Sequence, residues 1–278
     1  MKIADRLYLV GSEQFGISHP LDCNCYLLDS GQTRTLIDTG LGLGVEDILQ
    51  NIRNLGFAPE SIRHIVITHS HIGHWGGANE LRKRTGALVW APAGAEKAMQ
   101  DVDGDRAIRI NFEFGRYPVG FVARSCRPDK LFSDADQIVL DGIRLRTIRT
   151  GGHTPDSTCL LFENGEWRGL FTGDVLFYGG RLGLTNLEGC SLDEYRRNIH
   201  KISDLGTDAL FPGHGVFVLR RGDKHIQRAV HKLADLVMPP TFFEENELIW
   251  DREYLSMFNA DATSTASKGA RETVDADR

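Results

Sequence analysis

Apolar residues along the first hundred positions occur either in short runs or at helical spacing. The short runs are rich in β-branched residues and predict strands over 3–10, 23–28, 35–37, 65–68 and 87–91. From Val45 to Leu55 apolar residues recur every three or four positions, and Gly56 follows where a helix commonly ends. Shorter helices are predicted over residues 77–84 and 95–100.

The same alternation of strands and helices returns after residue 136. Apolar runs predict strands over 137–140, 143–148, 157–162, 169–172 and 209–211. Ser191 precedes a predicted helix whose apolar face runs from Leu192 to Leu205, and a last helix carries Ile226 to Val237. Two successive groups of strands and helices favour a layered α/β domain in which two sheets pack face to face under outer helices.

Two regions depart from this pattern. Residues 101–131 contain glycines, prolines, aromatic residues and arginines without a clear period, which predicts an insertion over the core. Such an insertion either lines a substrate cleft or forms an ordinary surface loop. Residues 260–278 lack large apolar side chains and predict a disordered tail. We therefore expect one folded domain over residues 1–259.

Charge and cysteine content indicate which partners and which cellular compartment to expect. The formal net charge of −6 is spread over interspersed acidic and basic residues, which argues against nucleic acid as the main partner. The sequence contains neither a membrane-length apolar run nor the features of a signal peptide in its first ten residues. Five scattered cysteines indicate a reducing compartment, so a cytoplasmic protein is expected. Cys23 and Cys25 have no second pair and are interpreted as buried core thiols.

Candidate metal ligands are concentrated in a few short segments. Three histidines fall within residues 69–74, directly after the apolar run 65–67, and neutral imidazole is a ligand for zinc, iron, copper and nickel. Four further turns that contain glycine follow predicted strands, and glycine there allows a side chain to reach the mouth of a sheet. These four turns carry Asp38, His153, Asp174 and His214.

In this order, the motifs HxHxxH, GGHTPDS, TGD and PGHG resemble those of the metallo-β-lactamase fold superfamily, and within it the glyoxalase-II-like hydrolases. The resemblance covers nearly the whole chain, from Asp38 to His214. It implies an αββα sandwich with a metal site at one edge of the sheets. It also implies two zinc ions, with one zinc, iron or manganese as alternatives. The implied ligands are His69, His71 and His153 for the first ion, His74 and His214 for the second, and Asp174 as a bridge.

Gly73 departs from the family pattern, because members with two metals usually have an aspartate there in HxHxDH. Losing that carboxylate removes a ligand and a proton acceptor, and losing a positioned acid or base often costs about 10²- to 10⁴-fold in rate. Three explanations remain: a substitution that disables the enzyme, a natural variant that uses one metal, or a degenerate protein. The last ranks lowest because the other ligand positions are intact.

Two further residues are assigned roles by the resemblance. Asp38 either orients a ligand histidine or serves only its turn. Tyr178 follows Asp174 in a segment that lines the cleft of similar hydrolases, so its hydroxyl either donates to a developing oxyanion or its ring only packs. Asp174 and Tyr178 are thus the candidate catalytic residues.

The expected function is metal-dependent hydrolysis of a small-molecule ester, thioester or lactone by a metal-bound hydroxide, impaired if the carboxylate missing at Gly73 is essential. One alternative is a mononuclear iron dioxygenase similar to the persulfide dioxygenases, which would use His69, His153 and Asp174. Another is a non-catalytic binding protein. Neither nucleic acid nor membrane is expected as a partner. A homo-oligomer is possible, since apolar residues near the C-terminus suit burial against the core or a partner: Phe242, Phe243, Leu248, Ile249 and Trp250.

Overall fold

A computed structural model describes residues 1–243 of the 278-residue chain. The predicted tail over 260–278 and the apolar residues Leu248, Ile249 and Trp250 lie outside the described residues. No helix in the described part is long and apolar enough to cross a membrane.

The first sheet contains seven strands in sequence order. They are β1 (Lys2–Ala4), β2 (Leu7–Gly11), β3 (Cys25–Asp29), β4 (Arg34–Ile37), β5 (Ile62–Val66), β6 (Leu88–Pro92) and β7 (Lys130–Phe132). Strands β1 to β4 are antiparallel, whereas β4 to β7 are parallel. The single strand predicted over 3–10 is wrong, because Arg6 adopts a φ of 60° and turns the chain between β1 and β2.

The second sheet is formed by the C-terminal half of the described chain. Its strands and a small separate hairpin are β8 (Gln137–Leu140), β9 (Ile143–Arg149), β10 (Thr158–Asn164), β11 (Trp167–Gly173), β12 (Leu176–Phe177), β13 (Arg181–Leu182) and β14 (Ala209–Pro212). The sheet order is β14-β11-β10-β9-β8, with β11 and β14 parallel and the other neighbours antiparallel; β12 pairs with β13 alone.

The helices lie outside the sheets and correct several predicted boundaries. They are α1 (Val45–Asn54), α2 (Ile72–Trp75), α3 (Ala78–Thr85), α4 (Glu96–Gln100), α5 (Arg106–Glu113), α6 (Leu192–Asn198) and α7 (Gly222–Ala234). Helix α6 changes to a 3₁₀ turn at Ile199–Ile202 instead of continuing to Leu205. Helix α7 ends before Val237, which is exposed. The insertion contains α5, whose first turn is capped by the Asp105 carboxylate accepting from the Ile108 amide.

Three apolar clusters establish four layers. The first lies between the outer face of the first sheet and α1, α3, α4 and α5. The second joins the two sheets, where Tyr26 and Val66 of one share a core with Phe162 and Phe171 of the other. The third packs α6 and α7 on the outer face of the second sheet. This order confirms the predicted αββα sandwich.

The strand directions bring the candidate ligands to one edge. Strands β4 and β5 are parallel neighbours, as are β11 and β14, and the carboxyl ends of parallel neighbours meet at one edge of a sheet. Asp38 directly follows β4, and His69 is the third residue after β5. Asp174 directly follows β11, and His214 is the second residue after β14. The turn with His153 follows β9, which runs in the direction of β11 because both are antiparallel to β10.

Candidate metal centre

Three imidazoles form one compact group, here called the histidine trio: His69, His71 and His153. Each offers a ring nitrogen, and these three nitrogens lie within 4.8 Å of one another. His71 Nδ1 lies 2.8 Å from His153 Nε2. Since both atoms point at the same small space, the trio has the form of a site for one cation.

The other two candidate ligand histidines, His74 and His214, also lie next to Asp174, and the His74 ring is 4.1 Å from that of His69 between centroids. The Asp174 carboxylate is 3.3 Å from His74 Nε2 and 3.7 Å from His214 Nε2. Its Oδ2 atom is also 3.5 Å from His153 Nε2. The structure therefore brings all six predicted ligands together, and Asp174 lies next to members of both groups of histidines.

Hydrogen bonds behind the rings fix their orientation. His74 Nδ1 donates to Asp38 Oδ2 at 2.8 Å, and His214 Nδ1 donates to Glu13 Oε1 at 2.7 Å. His153 Nδ1 donates to the Gly183 carbonyl at 2.6 Å. Each bond directs the opposite nitrogen of the ring towards Asp174, which is how ligand histidines are oriented in metal sites. Because carboxylates back His74 and His214 directly, these two residues are called the carboxylate-backed pair.

Asp38 therefore both orients a ligand histidine and supports its turn. Its carboxylate accepts from the Thr68 amide and the Thr68 hydroxyl, each at 2.8 Å, in addition to His74. The Thr68 oxygen lies 3.0 Å from His69 Nδ1 and accepts from it, so Asp38 also acts on His69 through Thr68. Asp38 itself has a φ of 58°, which non-glycine residues rarely adopt.

Three buried polar atoms in the centre have no hydrogen-bond partner among the described residues: His69 Nε2, His74 Nε2 and Asp174 Oδ1. Such atoms are rare in folded proteins, because leaving one unpaired costs about 1–3 kcal/mol. His69, His74 and Asp174 each offer one potential ligand atom, and these atoms lie within 4.8 Å of one another. Imidazole nitrogen together with carboxylate oxygen is a ligand set that zinc prefers. The residues present therefore fit a divalent cation.

The two groups of histidines differ in protonation. Burial, reinforced by neighbouring imidazoles, lowers the pKa of His69 and His71 well below its usual value, and burial also lowers the pKa of His153. Burial acts in the same direction on His74 and His214, but neighbouring groups outweigh it and raise the pKa: Cys23, Asp174 and Asp38 for His74, and Glu13 and Asp174 for His214. The trio is therefore neutral and available as ligands, whereas the carboxylate-backed pair retains protons that a cation must displace.

The family model described as "Metallo-beta-lactamase superfamily" matches residues 19–214 of the chain. The chain belongs to this superfamily. It is 33% identical over 199 residues to a beta-lactamase-like protein 2 homolog of Drosophila melanogaster, covering 69% of this chain and 58% of the fly protein. The chain thus spans less than two thirds of that relative.

Two further similarities agree with this membership. The hydroxyacylglutathione hydrolase GloC of Haemophilus influenzae is 28% identical over 198 residues, covering 70% of this chain and 86% of GloC. The class B3 di-zinc metallo-beta-lactamase LRA-12 from an Alaskan soil metagenome superposes with a TM-score of 0.60 at 22% identity, covering 82% of this chain and 88% of that one. This second likeness shows the fold.

Two glycines of the superfamily site have opposite surroundings. A Cβ at Gly213 would collide with Asp174 Oδ1 and His74 Cε1, so only glycine permits the observed approach of its backbone to the centre. By contrast, a Cβ at Gly73 would meet no heavy atom within 4 Å in the described part of the chain, apart from its own helix and neighbours. Gly73 lines the cavity above the ligands. Position 73 therefore has room for a longer side chain.

Tyr178 is the one predicted site residue that the structure does not bring to the centre. It lies in a 3₁₀ turn after β12, is 53% exposed, and packs its ring on His225 at 4.8 Å between centroids. It is not among the described residues that line the cavity over the ligands.

Sequence reasoning missed Glu13 and the Gly183 carbonyl. Glu13 lies in an irregular segment between β2 and β3 without a recognisable motif, and a backbone carbonyl leaves no mark in a sequence. Cys23 was interpreted as a core thiol, and it is buried. Its sulfur nevertheless lies within 4.8 Å of donor atoms of Asp38 and His74. Burial raises the pKa of this thiol well above its usual value, which keeps it protonated and a poor ligand.

Proposed function

We propose that this protein is a metal-dependent hydrolase that cleaves a small-molecule ester, thioester or lactone and binds two zinc ions. The observation that carries the proposal is the shared position of Asp174, whose carboxylate lies 3.3–3.7 Å from ring nitrogens of His74, His153 and His214. The name of the relative GloC, a hydroxyacylglutathione hydrolase, supports cleavage of an acyl bond.

The histidine trio would hold the first ion, the carboxylate-backed pair the second, and Asp174 would contact both. When bound, such ions lower the pKa of a bound water and polarise the carbonyl that it attacks. The protein contributes fixed ligand orientation, because hydrogen bonds behind the rings of His74, His153 and His214 hold these three in place. Little reorganisation is then needed during the reaction.

Proton transfer is the weak step of this arrangement. With glycine at position 73, Asp174 and Glu13 are the carboxylates among the described residues that line the cavity, and Glu13 is bonded to His214. Burial would raise the pKa of Asp174, but the neighbouring histidines lower it well below its usual value, so Asp174 is a weak proton acceptor. We therefore expect this protein to react more slowly than a variant with a carboxylate side chain at position 73.

A mononuclear iron dioxygenase is the second candidate, because His69, His153 and Asp174 are all in place and such an enzyme does not need a carboxylate at Gly73. Metal analysis of protein grown without added metal separates the two: about two zinc per chain supports the hydrolase, and about one iron supports the dioxygenase. Oxygen uptake with glutathione persulfide provides the direct assay. Iron together with oxygen uptake, and no hydrolysis of a panel of thioesters, esters and lactones, would refute the hydrolase.

A further inference from the structure

A cavity of about 510 Å³ opens directly over the candidate metal centre. Its floor contains the ligands His71, His74, His153, Asp174 and His214. Cavities of this size hold small organic molecules. When the carbonyl group of such a molecule lies over the ligands, the rest of the molecule contacts the cavity walls. The walls therefore determine which acyl group fits.

One wall is formed by the insertion. Ala107, Ile110 and Asn111 recur at three- and four-residue spacing, so they share one face of α5, and Phe114 directly follows this helix; all four line the cavity. Ile108 also lines the cavity and belongs to the apolar cluster of the first sheet, which anchors α5. Of the two alternatives for residues 101–131, a cleft lining or an ordinary surface loop, α5 fits the first because it lines the cavity.

The lining side chains are mostly apolar. Besides α5, apolar contributions come from four parts of the fold: Leu41, Ile72, Leu184 and Phe243. Among the described residues that line the cavity, the charged side chains outside the ligand cluster are Glu13 and Arg116, and Glu13 is bonded to His214. A substrate with several charges would meet one cationic side chain, Arg116, outside the ligand cluster, so most of its charges would lose water without a matching partner, which is unfavourable.

We infer that the substrate's acyl group is large and apolar, of aromatic-ring size, and lies between α5 and the loop around Leu184 with its carbonyl over the ligands. This inference rests on the proposed hydrolase and specifies its substrate class. It separates the protein from a hydrolase of small hydroxyacyl groups carried by a multiply charged thiol such as glutathione. Specificity would then reside in α5 and not in the ligands.

Acyl-chain dependence tests the inference. The substrates are N-acetylcysteamine thioesters of acetyl, butanoyl, octanoyl, benzoyl and 2-naphthoyl groups, together with lactoylglutathione, assayed with the zinc-loaded protein. Each buried methylene group is worth about fourfold, so kcat/KM for octanoyl and naphthoyl should exceed that for acetyl by about 10²-fold or more. A preference for lactoylglutathione or acetyl would overturn the inference and leave the proposed hydrolase intact.

Binding of product carboxylates gives a measurement that does not depend on turnover. In calorimetry with the zinc-loaded protein, 2-naphthoate should bind about 10²-fold more tightly than acetate. If no thioester, ester or lactone is hydrolysed, the proposed hydrolase fails, and this titration still decides what the cavity accepts. Equal affinity for the two carboxylates would overturn the inference.

A matched pair of variants locates the specificity on α5. Ile110→Trp fills the cavity, whereas Arg109→Trp places the same side chain on an exposed position of the same helix that does not line it. We expect Ile110→Trp to lower the naphthoyl-to-acetyl ratio of kcat/KM by about tenfold or more, since a hydrophobic pocket discriminates by 10-fold or more per misfit group. A similar change in both variants would contradict the assigned wall.

Discussion

The two halves of the candidate metal centre differ in what lies behind their histidines. The histidine trio consists of neutral imidazoles whose ligand nitrogens lie within 4.8 Å of one another. In the carboxylate-backed pair, Asp38 and Glu13 accept from the rings of His74 and His214. Cys23, Asp174 and Asp38 raise the pKa of His74, and Glu13 and Asp174 raise that of His214. The trio is thus prepared for a cation, whereas the pair must first release protons.

This difference indicates unequal affinities. An aspartate at position 73 would add negative charge to the half that holds protons, and this chain has Gly73 there. The second half therefore relies on carboxylates behind its histidines and on the shared Asp174. We expect a tightly held first ion and a weakly held second ion.

The largest effect should follow from breaking the trio. His153→Ala removes a nitrogen that faces both His71 and Asp174, so we expect loss of the first ion and a fall in kcat/KM of about 10³-fold or more, because Lewis-acid stabilisation of several kcal/mol is lost. Metal content and hydrolysis rates check this. The matched variants are His214→Ala in the pair, with a smaller expected loss, and His200→Ala at an exposed position outside the site. Equal losses for His153→Ala and His214→Ala would refute the asymmetry.

Adding the absent carboxylate should make the two halves more alike. Gly73→Asp has room, since a Cβ there meets no described heavy atom within 4 Å beyond its own helix and neighbours. We expect a higher affinity for the second ion and a rate increase of about 10²-fold, the lower end of what a positioned acid or base provides. Competition titration with a chelator and steady-state kinetics measure the two effects.

Gly73→Asn is the control for Gly73→Asp, because it has nearly the same size without the charge. An increase for both variants would point to shape instead of charge. Unchanged or lower activity in Gly73→Asp would mean that the glycine is a native adaptation and that the two-ion hydrolase is wrong for this protein.

The sequence could predict which candidate ligands lie near one another, but it could not predict the groups that lie behind them. His69, His153 and Asp174 occur in short motifs next to strand ends, where local sequence determines their position. Glu13 is 201 residues from His214 in the chain, so their contact depends on how the two sheets pack. Helix α5 was missed because its eight residues make barely two turns, too few for a periodic pattern to stand out.

Removing the charge behind His214 tests whether the second half depends on its backing carboxylates. Glu13→Gln keeps the size of the side chain and removes the charge, so we expect affinity for the second ion to fall about 10- to 100-fold and that for the first to change little. Stepwise zinc titration resolves the two. Glu60→Gln at an exposed position is the control. A loss of both ions alike would show that Glu13 supports the fold and not the second site.

The last effect concerns fold stability at the turn that begins at Asp38 and backs His74. Asp22 lies beneath this turn, where its carboxylate accepts from the Leu41 amide at 3.0 Å and the His19 amide at 3.2 Å. Burial raises the pKa of Asp22 to about 6. A group whose folded-state pKa is raised stabilises the fold below its unfolded pKa of about 3.9, and that contribution disappears as pH rises through the folded value.

We therefore expect the stability of the wild type relative to Asp22→Asn to decrease between about pH 4 and pH 7. A shift of about two pKa units corresponds to about 3 kcal/mol in the free energy of unfolding. Urea unfolding of both proteins at each pH measures it, and the difference between them cancels pH effects that they share, including metal binding. A difference that stays constant over this range would show that Asp22 does not titrate there. In that case, pH sensitivity of the second ion would arise from the carboxylate-backed pair itself, since the turn supporting Asp38 would be unaffected.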